Sequence, residues 1–225
     1  MDIASQKSID WHYETLPRQT KKALDFLSKE KWLKESGWYL AGGTALALYA
    51  GHRKSIDLDF FTEQIEFDNT DFLKNFINNK NWQITFDREN TIYGQLFRAK
   101  VSFIAYPFFI PLQEKFFHGN IKVLAPIDIA VMKITAISQR GRKRDFFDLY
   151  WCANNLEPLE TTIRRLKKQY PSVAHDYHHI LKSLVYFEDA ENDPEPEINF
   201  RVSWREVKKY FEKEIVKITE NVIRL

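Results

Sequence analysis

The chain has 225 residues, 44% hydrophobic and 15% aromatic, with 33 basic against 31 acidic side chains and a formal net charge of +2. That much apolar matter builds one large or two small packed domains and excludes a disordered chain, while the near-balance of charge excludes a wholesale polyanion binder. The single cysteine, Cys152, excludes an intrachain disulfide scaffold and any cysteine-based zinc cluster.

In chain order, Leu16, Ala23, Leu24, Leu27 and Leu33 recur at helical steps, with Pro17 near the start and Gly37 past the end, so the spacing predicts one long first helix. Trp38–Ala41 reads as a buried strand stopped by Gly42-Gly43, and Thr44–Ala50 as a short helix closed by Gly51. Ile56–Phe61 alternates apolar and acidic residues with the period of a half-buried strand. An amphipathic helix is expected over Asp68–Asn79. Strands follow at Trp82–Phe86, Thr91–Phe97 and Lys100–Tyr106 as an antiparallel meander, then a short one at Ile121–Leu124. Helices are expected at Ile127–Ser138, Asp145–Asn154, Leu159–Tyr170, Val173–Phe187 and Trp204–Ile223. The chain thus divides into a mixed α/β part, residues 1–125, and a helical part, residues 126–225. Residues 188–197 hold six acids, two prolines and no base, the composition of a solvated loop or, less simply, of a segment masking a basic surface. The apolar runs around Trp38–Gly51 and Val101–Leu112 are too short to span a membrane, and MDIASQKSIDWHY lacks the pattern of a secretory signal, so the chain reads as soluble and cytoplasmic.

The chemistry concentrates in Gly42-Gly43-Thr44 and, after twelve intervening residues, Asp57-Leu58-Asp59. Two Asp at i and i+2 of a strand project from one face with Cα atoms about 6–7 Å apart, a spacing at which carboxylates can share hard cations. A strand, a Gly-Gly turn and a helix start place backbone amides where phosphate oxygens can bind, the glycines permitting close approach. Thr44 adds a hydroxyl there and a candidate N-cap; Arg53 and Lys54, in the loop back to the strand, would balance a triphosphate.

LAGGTALALYAGHRKSIDLDFF resembles the first motif of the AbiEii/AbiGii toxin-type nucleotidyltransferases, within the polymerase-beta-like superfamily. A second stretch, from Lys133 through Arg140 and Arg144-Asp145 to Asp148-Leu149, resembles that family's downstream motif. The resemblance implies an α+β fold: a polymerase-beta-like core of mixed, largely antiparallel sheet flanked by helices, with a helical C-terminal region. It implies Mg²⁺-dependent (or Mn²⁺-dependent) transfer of a nucleotide from an NTP, an RNA acceptor with tRNA favoured, and a toxin role beside a winged-helix antitoxin. By motif match Asp57 and Asp59 would ligate the metal, Gly43 and Thr44 would sit at the triphosphate, Lys133 would contact the phosphates, and Asp145 or Asp148 would be the downstream acid.

Read by themselves, residues 133–144 hold five bases and no acid, with Lys133, Ile137, Arg140 and Arg144 at helical steps and Gly141 interrupting or bending the helix. Facing the carboxylate strand, this stripe would bind NTP phosphates or a nucleic-acid backbone; otherwise Asp145 and Asp148 pair with Arg144 or Lys133 in a structural helix hairpin. One departure from the superfamily stands out. The strand expected to carry a third carboxylate has Ser102 and no acid. A downstream Asp substitutes, two carboxylates suffice, or the chain is a non-catalytic nucleotide- or RNA-binding module. Transfer to a protein hydroxyl on itself or its antitoxin is the further alternative.

Overall fold

Short apolar segments with turn residues between them set the architecture of the computed structural model, which describes residues 9–222, with side chains to residue 219. Helices α1 (Arg18–Leu27) and α2 (Lys31–Glu35) lead into strand β1 (Tyr39–Ala41), helix α3 (Gly42–Ala50) and strand β2 (Leu58–Thr62). Helix α4 (Asn69–Leu73) precedes strands β3 (Trp82–Arg88), β4 (Thr91–Leu96), β5 (Ala99–Ala105), β6 (Phe116–His118) and β7 (Ile121–Val123). Helices α5 (Pro126–Arg140), α6 (Lys143–Asn155), α7 (Leu159–Gln169), α8 (Tyr177–Ser183), α9 (Glu188–Glu191) and α10 (Trp204–Val222) complete the order.

The seven strands form one mixed sheet in the order β3-β4-β5-β2-β1-β7-β6. Pairs β1–β2, β3–β4, β4–β5 and β6–β7 are antiparallel, and β1–β7 and β2–β5 are parallel. Leu58, Phe60 and Thr62 of β2 are buried on one face, whereas Asp59 and Phe61 point to the other. Helix α3 is Ala- and Leu-rich and buried from Thr44 to Leu48, as a helix apolar on every side must be. Helices α5 and α6 pack on it and on each other, so a single apolar core runs across the Ala125-Pro126 junction, where Pro126 takes the first position of α5. No helix of the described residues is long and apolar enough to cross a membrane.

Several expected elements differ. The long first helix breaks at residues 28–30, because the Ser28 carbonyl is taken by Asn120 N–H (2.7 Å) from the β6–β7 turn. Strand β6 was not expected. The helix expected over Asp68–Asn79 shortens to α4 and a single tight turn, Lys74–Phe76, and that over Val173–Phe187 shortens to α8, capped by Asp176. Gly141 interrupts the helix, as expected: with φ 50° it ends α5, and α6 starts afresh at Lys143. The last helix runs to Val222; Ile223 and residues 1–8 lie outside the described residues.

The acidic stretch 188–197 is not a free loop. The Lys143 ammonium, itself buried, is bound by the carbonyls of Glu191 (3.3 Å) and Asp193 (2.9 Å) and by the Glu195 carboxylate (3.2 Å). Asp193 also accepts from the Lys143 backbone N–H (3.0 Å) and pairs with Arg142 (2.8 Å), while Glu197 pairs with Lys54 (2.6 Å). An acid-rich segment whose opposite charges lie within reach is held by charge-assisted hydrogen bonds instead of being left to solvent. Its acids thus cover Lys143 and pair with Arg142 and Lys54, as the masking reading has it, while most of its residues stay exposed to solvent.

Candidate active site

The turn from β1 into α3 and the strand beside it make one wall of a cavity of about 560 Å³. Gly42 has φ +70°, a conformation that favours glycine, and a Cβ there would stand 3.2 Å from Asp59 Oδ2. A Cβ on Gly43 would fall 2.2 Å from the Arg53 guanidinium. Gly42 and Gly43 thus bring the first turn of α3 to the cavity wall, against Asp59 and Arg53, and the helix dipole makes that end attractive to anions.

Asp57 sits just before β2 and Asp59 in it, and both line the cavity. Asp57 Oδ1 is buried with no hydrogen-bond partner, and its Oδ2 lies 3.9 Å from Arg144. Asp59 Oδ1 accepts from Ser102 Oγ (2.7 Å). Burial pushes the Asp59 carboxyl above its ordinary range; the Ser102 hydroxyl opposes this and the nearby Asp57 adds to it. Such a pair, with one orphaned oxygen, fits a hard divalent cation that takes its remaining ligands from water and phosphate oxygens. Ser102, directly across from Asp59 in the sheet, occupies the place where a third carboxylate would stand, and no group of three or more His, Cys, Asp or Glu suited to a metal occurs among the described residues.

Helices α5 and α6 supply the opposite wall. Lys133, Arg140, Arg144 and Asp145 line the cavity, the two arginines about half exposed at its mouth. Arg142 and Lys143, the other two bases of the stripe, are drawn off by the acidic segment 188–197. Lys133 bonds Asp145 Oδ1 (2.5 Å) and Asp148 Oδ2 (2.6 Å); burial would lower its pKa, but these two carboxylates raise it, so it is charged.

Three expected site residues face away from the cavity. Asp148 is fully buried behind it, accepting from His52 Nε2 (2.7 Å), Arg53 Nε (2.5 Å) and Arg53 Nη2 (2.8 Å) besides Lys133. Burial would raise its pKa, but Arg53 and Lys133 hold its carboxyl well below the usual carboxylate range. It therefore cannot touch a substrate and acts as the anchor of two cations. Thr44 lies in the first turn of α3, where Ala41 takes the N-cap place, and its buried hydroxyl bonds Ser55 Oγ (2.8 Å) and the Asp57 carbonyl. It ties the carboxylate strand to the helix and is not presented to phosphate. Lys54 is exposed and paired with Glu197. Arg53 does line the cavity, but its guanidinium is committed to Asp148 and to the Lys54 carbonyl (2.8 Å). By sequence His52 could orient the basic loop, contact phosphate or pack; in the fold it is buried and its Nε2 bonds Asp148. The cavity's other side, Tyr93, Gln95 and Lys100 of the meander with Met132 of α5, carried no local signal, since only strand register and helix packing bring it there.

His52 yields a pH dependence. Burial pushes its pKa below 6.5 although Asp148 opposes this, so the folded protein holds it neutral. The unfolded chain then binds a proton that the fold does not as pH drops below about 6.5, and stability falls from there toward the folded value. Melting temperatures between pH 7.5 and 5 are expected to show this decline, and a His52→Gln variant to lose that part of it.

A strand, a Gly-Gly turn and a helix beside two carboxylates on the neighbouring strand, with bases opposite, form an arrangement suited to a nucleotide's phosphates and a divalent cation. The family described as "Nucleotidyl transferase AbiEii toxin, Type IV TA system" matches residues 25–92 and 96–216. The chain belongs to this family of toxin–antitoxin nucleotidyltransferases. An uncharacterized protein of Aquifex aeolicus, aq_aa25, is 36% identical over 192 residues, covering 82% of this chain and 89% of that one. Among solved structures, JHP933 from Helicobacter pylori is similar with a TM-score of 0.53 at 18% identity, over 93% of this chain and 95% of that one. MenT4, the nucleotidyltransferase toxin Rv2826c from Mycobacterium tuberculosis, is similar with a TM-score of 0.53 at 17% identity, over 90% of this chain and 86% of that one. At these identities the two structures show the shared fold.

Proposed function

We propose that this nucleotidyltransferase moves a nucleoside monophosphate from an NTP to the 3′ hydroxyl of an RNA, tRNA being the favoured acceptor, as the cytoplasmic toxin partner of a winged-helix antitoxin. The observation that carries the transfer reading is the meeting, in one cavity, of Asp57 and Asp59 with the glycines that begin α3 and the basic side chains of Lys133, Arg140 and Arg144. The acceptor oxygen bonds to the α-phosphorus, the bond to the bridging oxygen breaks, and pyrophosphate leaves while the hydroxyl proton passes to water. The α3 amides hold phosphate oxygens, and Arg140 and Arg144 at the mouth offset the charge of the leaving pyrophosphate. Lys133 presents a fixed positive charge, held in place by Asp145 and Asp148. Asp57 and Asp59 would hold Mg²⁺ (or Mn²⁺), which when bound supplies positive charge to the phosphate and the attacking oxygen. Arg53, Asp148 and Thr44 position these groups.

Labelled NTPs, each with Mg²⁺ and total tRNA, test the reading. Label in the RNA fraction is expected with the wild-type chain. Label found only in protein, as an NMP adduct on Ser, Thr or Tyr by mass spectrometry, replaces the RNA acceptor with a protein one. Label in neither fraction, with no metal-dependent NTP binding by calorimetry, leaves a non-catalytic module.

A further inference from the structure

The sheet register lines up residues far apart in sequence. Ala41 pairs with Asp59, Asp59 with Ser102, Ser102 with Tyr93 and Tyr93 with Phe86, a row across five strands with a bulge between Ile84 and Phe86 at its β3 end. At about 4.8 Å per strand, Tyr93 stands about 10 Å and Phe86 about 14 Å from Asp59 along the row. One end of the row runs into the α3 N-terminus at Gly42, where the phosphates bind. The other end is aromatic. The Tyr93 and Phe86 rings stack with centroids 5.1 Å apart at 26°, and they are 41% and 39% exposed. The Arg88 guanidinium carbon is 6.0 Å from the Phe86 ring centre, and Lys100, from the neighbouring strand, lines the cavity.

Large rings left open on a sheet edge lose the benefit of burial, so their retention in a parallel stack calls for a ligand with flat faces. Phosphoryl transfer places the attacking and leaving oxygens on opposite sides of the phosphorus. With the leaving pyrophosphate directed to α3, α5 and α6, the acceptor must approach from the Ser102 side, along Tyr93 and Phe86. Bases stack on such rings irrespective of sequence, and Arg88 and Lys100 are placed to meet the phosphodiester backbone beside them. A protein hydroxyl on its own would use neither feature.

We propose that the cavity-side face of the β3–β4 hairpin is the platform on which the single-stranded 3′ end of the RNA acceptor stacks, Tyr93 and Phe86 being its two base-contacting rings. The proposal rests on the reading that the acceptor is RNA. Its test is anisotropy of a fluorescein-labelled single-stranded RNA oligonucleotide with the full chain without NTP, beside initial rates of transfer and calorimetric NTP affinity. Tyr93→Ala and Phe86→Ala are each expected to raise the RNA Kd and the acceptor KM about tenfold, with NTP affinity kept within about twofold and Tyr93→Phe within about threefold of wild type. RNA binding unchanged in both alanine variants overturns the platform while leaving RNA as the acceptor, provided the wild type labels RNA. Loss of NTP affinity in Tyr93→Ala without loss of RNA affinity also overturns it, by assigning that ring to the donor's base. If the wild type labels no RNA, the acceptor reading falls, and anisotropy still decides whether these rings bind RNA.

Discussion

An Asp59→Asn variant is expected to lose nucleotidyl transfer by on the order of a thousandfold or more in kcat/KM while melting at the wild-type temperature or a few degrees above it. The two halves of this result have one cause. Asp59 is partly buried, beside Asp57, with the Ser102 hydroxyl bonding it, and its raised pKa records the cost of keeping it ionised. An asparagine keeps an oxygen for Ser102, removes the buried charge and ends its repulsion with Asp57. It also removes half of the carboxylate pair that would hold the cation. Labelled-NTP transfer and a circular-dichroism melt of the same preparation check both halves. Residual transfer within about tenfold of wild type would take Asp59 out of the site.

An Asp148→Ala variant is expected to show the reverse balance: destabilisation by about 3–5 kcal/mol, which for a chain of this size lowers the melting temperature by about 10 °C. The substitution leaves the Arg53 and Lys133 charges buried against each other with Asp145 alone to balance them, and it orphans His52 Nε2–H. The carboxyl's depressed pKa has the same meaning. Its stabilisation is present above the unfolded value near 3.8 and is lost as pH falls through the lower folded value. Transfer activity should fall too, because Arg53 packs on Gly43 and Lys133 faces the cavity, but only together with stability. A melt unchanged within about 2 °C, with activity gone, would make Asp148 a participant in the reaction instead of an anchor.

These two aspartates show where sequence stops. Asp59 was legible because its partners are near in the chain: strand, Gly-Gly turn, helix and carboxylate strand all fall within 24 residues, Trp38 to Phe61, and each carries its own local signal. Asp145 and Asp148 are one helical turn apart on α6 and equivalent by pattern. Packing of α6 against the His52-Arg53 loop sends Asp148 inward and leaves Asp145 at the cavity. The first helix failed for a like reason. Its apolar steps run on to Leu33, but Asn120 claims the Ser28 carbonyl from 92 residues away, and no local pattern carries that information.

The charge balance at the outset conceals the same division. Sequence alone determined the mixed α/β part followed by helices, the strand-turn-helix-strand unit and the basic stripe at 133–144, since these follow from period, turn residues and composition within short windows. Only the tertiary structure decided what each charge does. Arg142, Lys143 and Lys54 are bound by the acidic segment 188–197, Arg53 is bound by Asp148, Lys133 is held between Asp145 and Asp148 at the cavity wall, and Arg140 and Arg144 stand half exposed in the cavity beside Asp145 and Asp57. The physical reason is that a side chain's electrostatic role depends on its burial and on partners brought together by folding, and neither is written in its neighbours along the chain.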